Sequence, residues 1–436
     1  MSFSRLPSPT SFNRSTVVQL PRASSVFNIF SRRGLPIFSA FFLWSVGTGA
    51  VQLARPLFAA SLGAPIFLVT LVTASNSVGQ LVAGPITGFG MDRWGRKPLL
   101  IIGLTIRAAS SFAQFFTTSY AEFLVLEFIG SLGVSMWSTG ATILIADLSV
   151  AENRGRAVAA RSFSTRLGSI AGPLIGAAIA TAFDLRSIFI FNGLTKVADI
   201  AIVAFIVHES RPERTAPTVG APKEGRLDVI RAMFANRSFL VIAVVAFAIS
   251  VMTQGVFQAL FPIYLQSERG LATSEIGSLT AVAALATVLV LFPNGYLVDR
   301  FGRKSTLVPG LVVLGVTALL LAVSADYGGL LLAVIVYGIG EGMCAGSSQA
   351  YAMDLAPADR RGAFLGVWGV LNSSGSIAAP LLIGFATQQL GFGPAFTGLS
   401  VALVGVAVFT LLLGPNTRSR MKRAVAAGET PSLAPR

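Results

Sequence analysis

A chain of 436 residues that is 53% hydrophobic and only 12% charged is not composed like a water-soluble domain, in which about a quarter of residues are charged. Its net charge of +14 would suit nucleic acid, yet the basic residues sit in short loops between long apolar runs, which excludes that partner. Cys344 and His208 each stand alone, so there is no disulfide framework and no Cys–His cluster for zinc.

In chain order, residues 1–34 carry five Arg and no acid. They read as a basic cytoplasmic tail, although the composition also suits an organelle transit peptide. Apolar runs long enough to cross a bilayer, about 20 residues each, then fall at 35–59, 65–88, 98–118, 122–146, 157–181 and 187–207. Residues 208–237 mix Pro, Gly and charge and contain RLDVIRAMF, whose spacing suits a short amphipathic helix on the cytoplasmic face. His208 opens this linker as a solvated interfacial residue. Six more runs follow at 239–263, 273–296, 305–323, 330–353, 363–388 and 394–414, and 415–436 form a second cytoplasmic tail. The runs are continuous rather than alternating, which predicts helices and not barrel strands. The expected fold is all-α: twelve transmembrane helices in two pseudo-symmetric six-helix bundles, 35–207 and 238–414.

With the N-terminus taken as cytoplasmic, 26 of the 33 Lys and Arg fall on one side, and the opposite loops hold only Arg186 and Arg269. This positive-inside pattern predicts that both termini are cytoplasmic.

Sliding the chain by 207 residues superposes DRWGRK at 92–97 on DRFGRK at 299–304, Asp147 on Asp354, Arg154-Gly155 on Arg361-Gly362, and Gly63 on Gly270. GSIAGP at 168–173 likewise falls on GSIAAP at 375–380. Matches at one offset imply two homologous halves, and an even number of spans in each makes them parallel, related by an axis along the membrane normal.

The hexapeptides extend to Gly88…Asp92-Arg93-Trp94-Gly95-Arg96-Lys97 and Gly295…Asp299-Arg300-Phe301-Gly302-Arg303-Lys304. Both resemble the G-x-x-x-D-R-x-G-R-K signature of the major facilitator superfamily. Physically, a tight turn between antiparallel helices needs Gly, Gly88 and Gly295 would let a neighbouring helix approach closely, and Arg can grip a carboxylate with two bonds. The resemblance implies that Asp92 faces the start of the eleventh helix and Arg96 reaches Asp147. It implies the same in the second half, with Asp299 facing the fifth helix and Arg303 reaching Asp354. Such contacts would exist only with the cytoplasmic side closed, biasing the outward-open state.

The fifth span contains Gly168, Gly172, Pro173 and Gly176, and resembles the G-x-x-x-G-P-x-x-G-G motif of twelve-helix proton-coupled drug antiporters, with Ala177 in place of the last Gly. Generic small-residue packing would look similar. A sugar-transporter signature after the sixth span is only distantly approached by Glu209-Ser210-Arg211-Pro212-Glu213. Where the antiporters usually carry Arg in the fourth span, this chain has Glu127.

Charges at membrane depth cost at least about 2.5–3.5 kcal/mol each and are functional candidates by default. Glu341, Glu127, Arg55 and Arg166 are the proton-coupling candidates. Arg55 and Glu127 match in depth, as do Glu341 and Arg166, and Glu341 is flanked by glycines that would leave room for substrate. Lys196 and Asp199, three apart, read as a pair that holds scaffold helices together with Arg107. The substrate cavity is expected to be mainly apolar and aromatic, with candidates Phe41, Trp44, Gln52, Trp137, Gln254, Phe257, Gln258, Phe261, Tyr337, Trp368 and Asn372.

These features predict a secondary active transporter and not an enzyme, since no HExxH, CxxC or phosphate-binding loop is present. The expected activity is proton-coupled export of small hydrophobic or amphipathic compounds by alternating access. A metabolite, sugar or lipid carrier, or a sensor of the same fold, is the alternative. A proton gradient replaces any cofactor, the partners are a small-molecule substrate and the lipid bilayer, and the expected form is a monomer in the plasma (inner) membrane.

Overall fold

The computed structural model describes residues 34–148, 154–206, 233, 236–345, 347, 348, 351, 353 and 361–414. Each of the twelve apolar runs marks one long helix, with bounds within a few residues except in the tenth, expected over 330–353, whose helix ends at Cys344. The first half holds α1 (Gly34–Ser61), α2 (Ile66–Trp94), α3 (Arg96–Phe115), α4 (Tyr120–Leu148), α5 (Arg154–Ala182) and α6 (Ser187–Ile206). The second holds α7 (Arg237–Ser267), α8 (Thr273–Phe301), α9 (Lys304–Val323), α10 (Tyr327–Cys344), α11 (Arg361–Leu390) and α12 (Phe392–Leu413). Eleven of these are long and apolar enough to span a membrane. The exception is α5, whose first half carries Arg154, Arg156, Arg161 and Arg166.

Packing repeats between the halves. In the first, α1 packs on α5 and α6, α4 on α2 and α3, and α3 on α6; in the second, α7 packs on α11 and α12, α10 on α8 and α9, and α9 on α12. The halves meet through α2 with α11 and α5 with α8. The turns repeat as well: Gly95 and Gly302 join α2 to α3 and α8 to α9 at φ of 93° and 94°, a backbone region that strains any side chain. At the other end Gly63 and Gly270 do the same at 81° and 66°.

The last residue of each hexapeptide ties a second helix to this turn. Lys97 Nζ donates to the Ala204 carbonyl at the end of α6 at 2.6 Å. Lys304 Nζ donates to the Leu411 carbonyl of α12 at 2.5 Å and to that of Gly414 at 3.1 Å. A cation is favoured at a helix C-terminus, where unpaired carbonyls gather partial negative charge. Sequence reading assigned no role to these lysines; the signal was the equal spacing of 107 residues to the chain segment each one closes.

The end opposite the hexapeptides is sealed between the halves. Phe67 N–H donates to Gln388 Oε1 at 2.9 Å, joining α2 to α11. Gly384 of α11 abuts Thr70 of α2, and Gly277 of α8 lies against Pro173 and Ala177 of α5. At the hexapeptide end, by contrast, a Cβ on Gly88 or Gly295 would meet no atom within 4 Å. Among the described residues no helix approaches these two glycines in this conformation.

Candidate functional site

Small residues bring α1 and α5 together. A Cβ on Gly168 would stand 2.5 Å from Ser45 Cβ, one on Gly172 2.6 Å from the Val46 carbonyl oxygen, and one on Gly176 2.9 Å from Ala50 Cα. The resemblance motif is thus a contact surface for α1. Its departure, Ala177, faces a glycine: the Ala177 methyl packs on Gly277 of α8, so the side chain missing from one helix is supplied by the other.

In α7 the backbone widens into a π-helix over Val251–Leu260, with Phe261 N–H bonded to the Val256 carbonyl five residues back. Pro262 follows. It has no N–H to give to Gln258 and its ring crowds that carbonyl, so the regular ladder cannot continue. The wide turn brings Gln254 and Gln258 to the cavity wall, while Phe257 stacks on Tyr337 (3.8 Å, 4°) and on Phe261 (4.7 Å, 14°).

Between the halves lies a cavity of about 440 Å³, within the range of small-molecule sites. Thr48, Gln52 and Arg55 of α1, Thr73, Asn76, Ser77 and Gln80 of α2, and Arg107 of α3 line one side. Gln254 and Gln258 of α7 and Asn372, Ser373 and Ser376 of α11 line the other. Among the described residues, Val134 is the only apolar member of the lining. The expected apolar, aromatic wall is overturned. Of the predicted lining residues, Gln52, Gln254, Gln258 and Asn372 are present. The aromatic candidates instead pack on one another: Trp44 stacks on Trp137 at 5.1 Å, Phe41 tilts on Trp137 at 5.9 Å, and Trp368 meets Phe239 edge-on at 6.4 Å. Phe261 and Tyr337 are buried in the ladder with Phe257. Aromatic rings bury large area and mutually satisfy their edges and faces, so helix packing claims them first.

Behind the cavity wall Glu127 of α4, fully buried, collects four donors. Arg55 Nη2 (2.8 Å) and Asn76 Nδ2 (2.6 Å) reach Oε1; Arg107 Nη1 (3.3 Å) and Gln114 Nε2 (2.8 Å) reach Oε2. Gln80 Nε2 extends the network to Asn76 Oδ1 at 2.7 Å. Arg55 and Glu127 meet as their matching depths predicted. Arg107, expected to serve the scaffold with Lys196 and Asp199, joins this cluster instead. It lies on α3 where that helix packs against α4, with Gly130 and Gly133 giving the space.

The Lys196–Asp199 pair also departs from expectation. Lys196 Nζ donates to the Trp44 carbonyl at 2.9 Å and sits 4.1 Å from the Trp44 ring centroid, and among the described residues neither Asp199 oxygen has a hydrogen-bond partner. Three residues apart on a helix permits contact, but the lysine turns to α1.

Glu341 is half-buried. Thr287 Oγ1 of α8 donates to its Oε2 at 3.2 Å, and the charge of Arg166 and the Tyr337 hydroxyl act on it without forming a bonded ion pair. The glycines around it do not leave room for substrate: Gly338 and Gly342 press on α8, and Gly340 on Leu314 of α9. Arg166 lines a second cavity of about 430 Å³ with Arg161, Ser45 and Leu291. Of the gating residues, Arg93 and Arg300 are exposed, and Arg300 donates to Tyr296 Oη at 2.9 Å. The side chains of Asp92, Asp147 and Asp299, all of Asp354, and the linker helix predicted around RLDVIRAMF lie outside the described residues.

The sequence matches the family pattern described as Major Facilitator Superfamily over residues 37–272 and 243–435. The chain belongs to this superfamily. Among relatives, it is 24% identical over 348 residues to a candidate niacin/nicotinamide transporter, NiaP, of Bacillus subtilis (strain 168), covering 79% of this chain and 85% of that one. It is 22% identical over 382 residues to the quinolone resistance protein NorA of Staphylococcus aureus (strain COL), covering 87% and 96%. The crystal structure of the nucleoside transporter NupG shares the fold with a TM-score of 0.73 at 14% identity, over 87% of this chain and 98% of that one. This superfamily member is thus a multi-pass integral membrane transporter, and the proteins it resembles are transporters, not enzymes.

Proposed function

We propose that this chain is a secondary active carrier of small polar solutes, working by alternating access about the cavity between its halves. The observation that carries this reading is the cavity wall, in which Val134 alone is apolar among the described lining residues. A hydrophobic compound entering it would strand amides and hydroxyls without partners, at a cost of roughly 1–3 kcal/mol for each group left unsatisfied. A hydroxylated, amide-bearing or carboxylate-bearing solute would satisfy them. Protons are the coupling ion in this reading, with Glu341 as the exchanging group. Glu127 is its fixed counterpart: all four of its acceptor positions are occupied by donors, which leaves no place for a proton. The chain acts as a monomer in the plasma (inner) membrane with both termini in the cytoplasm, and its cavity faces the cytoplasm in this conformation.

A second reading is proton-coupled export of hydrophobic or amphipathic compounds. It is favoured by the likeness to NorA and by the stacked ladder of Phe257, Phe261 and Tyr337. Reconstituted full-length protein decides between them. Currents on solid-supported membranes, recorded with polar metabolites and with lipophilic dyes, with and without an imposed pH gradient, should respond to polar solutes. Currents or dye movement with lipophilic compounds alone would reverse the ranking.

A further inference from the structure

Resting on the reading of a polar-solute carrier, the geometry points to an anionic substrate, a small carboxylate held at Arg55 and Arg107. Charge in the two cavities is distributed with one sign. The central cavity is lined by Arg55 and Arg107, and the second cavity by Arg161 and Arg166. Among the described residues, neither lining includes a carboxylate.

The acids that could offset these cations stand behind the wall. Glu127 is fully buried and its two oxygens are already shared among Arg55, Asn76, Arg107 and Gln114. One carboxylate against two guanidiniums leaves that cluster with a net charge of one unit positive. Asp199 is fully buried beside Lys196 on α6, and Glu341 is not part of either lining.

Donors are also in surplus. Two guanidiniums carry ten N–H groups. Glu127 accepts from one nitrogen of each, which leaves further Nη N–H groups on both, while Arg55 Nε, itself shut off from solvent, has no partner among the described residues. A guanidinium buried with spare N–H groups is an incomplete carboxylate site, since planar two-toothed pairing uses those groups best. Gln52, Gln254, Gln258 and Asn372 complete the wall with groups that can bond the rest of the solute. An organic cation of the same size would meet Arg55 and Arg107 in the central cavity and no uncovered acid among the described lining residues.

The test is a set of acid–amide pairs of equal shape, benzoate with benzamide and nicotinate with nicotinamide among them, together with lactate and the lipophilic cation tetraphenylphosphonium. Affinities are read on the purified full-length protein by thermal stabilisation and by quenching of its tryptophans. The acids should bind at least tenfold more tightly than their amides. Arg55→Gln should cut acid affinity tenfold or more while changing amide affinity less than twofold, and Arg55→Lys should restore part of the loss. Glu127→Gln, which frees both guanidiniums, should raise acid affinity.

Acid and amide binding within twofold of each other, or no stabilisation by any acid, would overturn the anion assignment. If the amides are nonetheless bound and moved, the polar-carrier reading survives it. Binding of tetraphenylphosphonium in preference to every polar compound would remove both. Should Arg55→Gln fail to fold, the acid–amide ratio of the wild-type protein decides alone.

Discussion

Gly277 sits where the two halves close at the end remote from the hexapeptides, and a single methyl there should move the balance between conformations. A Cβ at this position would stand 2.8 Å from the Pro173 carbonyl oxygen, where ordinary contact begins at 3.4 Å, so α5 and α8 must part by at least 0.6 Å. The Ala177 methyl blocks the same space. Overpacking of this kind costs about 1–3 kcal/mol, and it exists only while the far end is closed. At 1.4 kcal/mol per tenfold, Gly277→Ala should favour the far-end-open arrangement by about 5- to 140-fold. The better helix propensity of Ala, up to about 1 kcal/mol, applies to both arrangements and cancels. Spin labels at Phe183 and Ser274, at the far ends of α5 and α8, would report the change as a growing long-distance population in pulsed dipolar spectroscopy. Gly398→Ala on α12, where a Cβ meets nothing within 4 Å, is the control and should leave the distribution unaltered. If Gly277→Ala shifts the populations by less than twofold, the contact is soft and does not set the equilibrium.

Removing the acid altogether by Glu127→Ala leaves Arg55 and Arg107 buried without their counter-charge, and should cost about 3–5 kcal/mol of stability; a melting temperature in detergent close to wild type would show the cluster to be dispensable. Glu341→Gln should leave stability nearly unchanged, since the hydroxyls of Thr287 and Tyr337 can bond an amide oxygen as well as a carboxylate, and should abolish gradient-driven flux while ligand still binds; normal pH dependence in a stable variant would remove Glu341 from the coupling step. Pro262→Ala restores a backbone N–H worth about 0.5–1.5 kcal/mol, so the melting temperature should rise slightly while ligand binding weakens as Gln254 and Gln258 turn from the cavity; unchanged affinity would mean that the π-helix does not position them. Cysteines placed at Arg93 and Arg300 should be labelled only from the cytoplasmic side, and labelling of one from outside would break the proposed orientation.

Much of the architecture was legible in the linear chain. Length and continuity of the apolar runs specified the helices, because a segment in lipid must satisfy every backbone polar group within itself. Helix α5 was legible as an apolar run over 157–181 despite its four arginines, which lower its hydropathy below that of its neighbours. The offset of 207 residues exposed the duplication and so anticipated the paired turns at Gly95 and Gly302.

Which residues face one another was a different matter. Depth alone could join Arg55 to Glu127, but it could not say that Arg107 turns to the same carboxylate while Lys196, though beside Asp199, gives its hydrogen bond to the Trp44 carbonyl. Nor could it show that the glycines beside Glu341 serve helix contact, that Ala177 is matched by Gly277, or that the aromatic candidates stack together and leave the cavity to amides and hydroxyls. The reason is physical. Composition fixes how deep a residue lies in the bilayer, since hydropathy and rise per residue are local properties. The rotation of each helix about its own axis is set by close packing of small residues and by polar groups finding partners on other helices, and those partners are distributed across the whole chain.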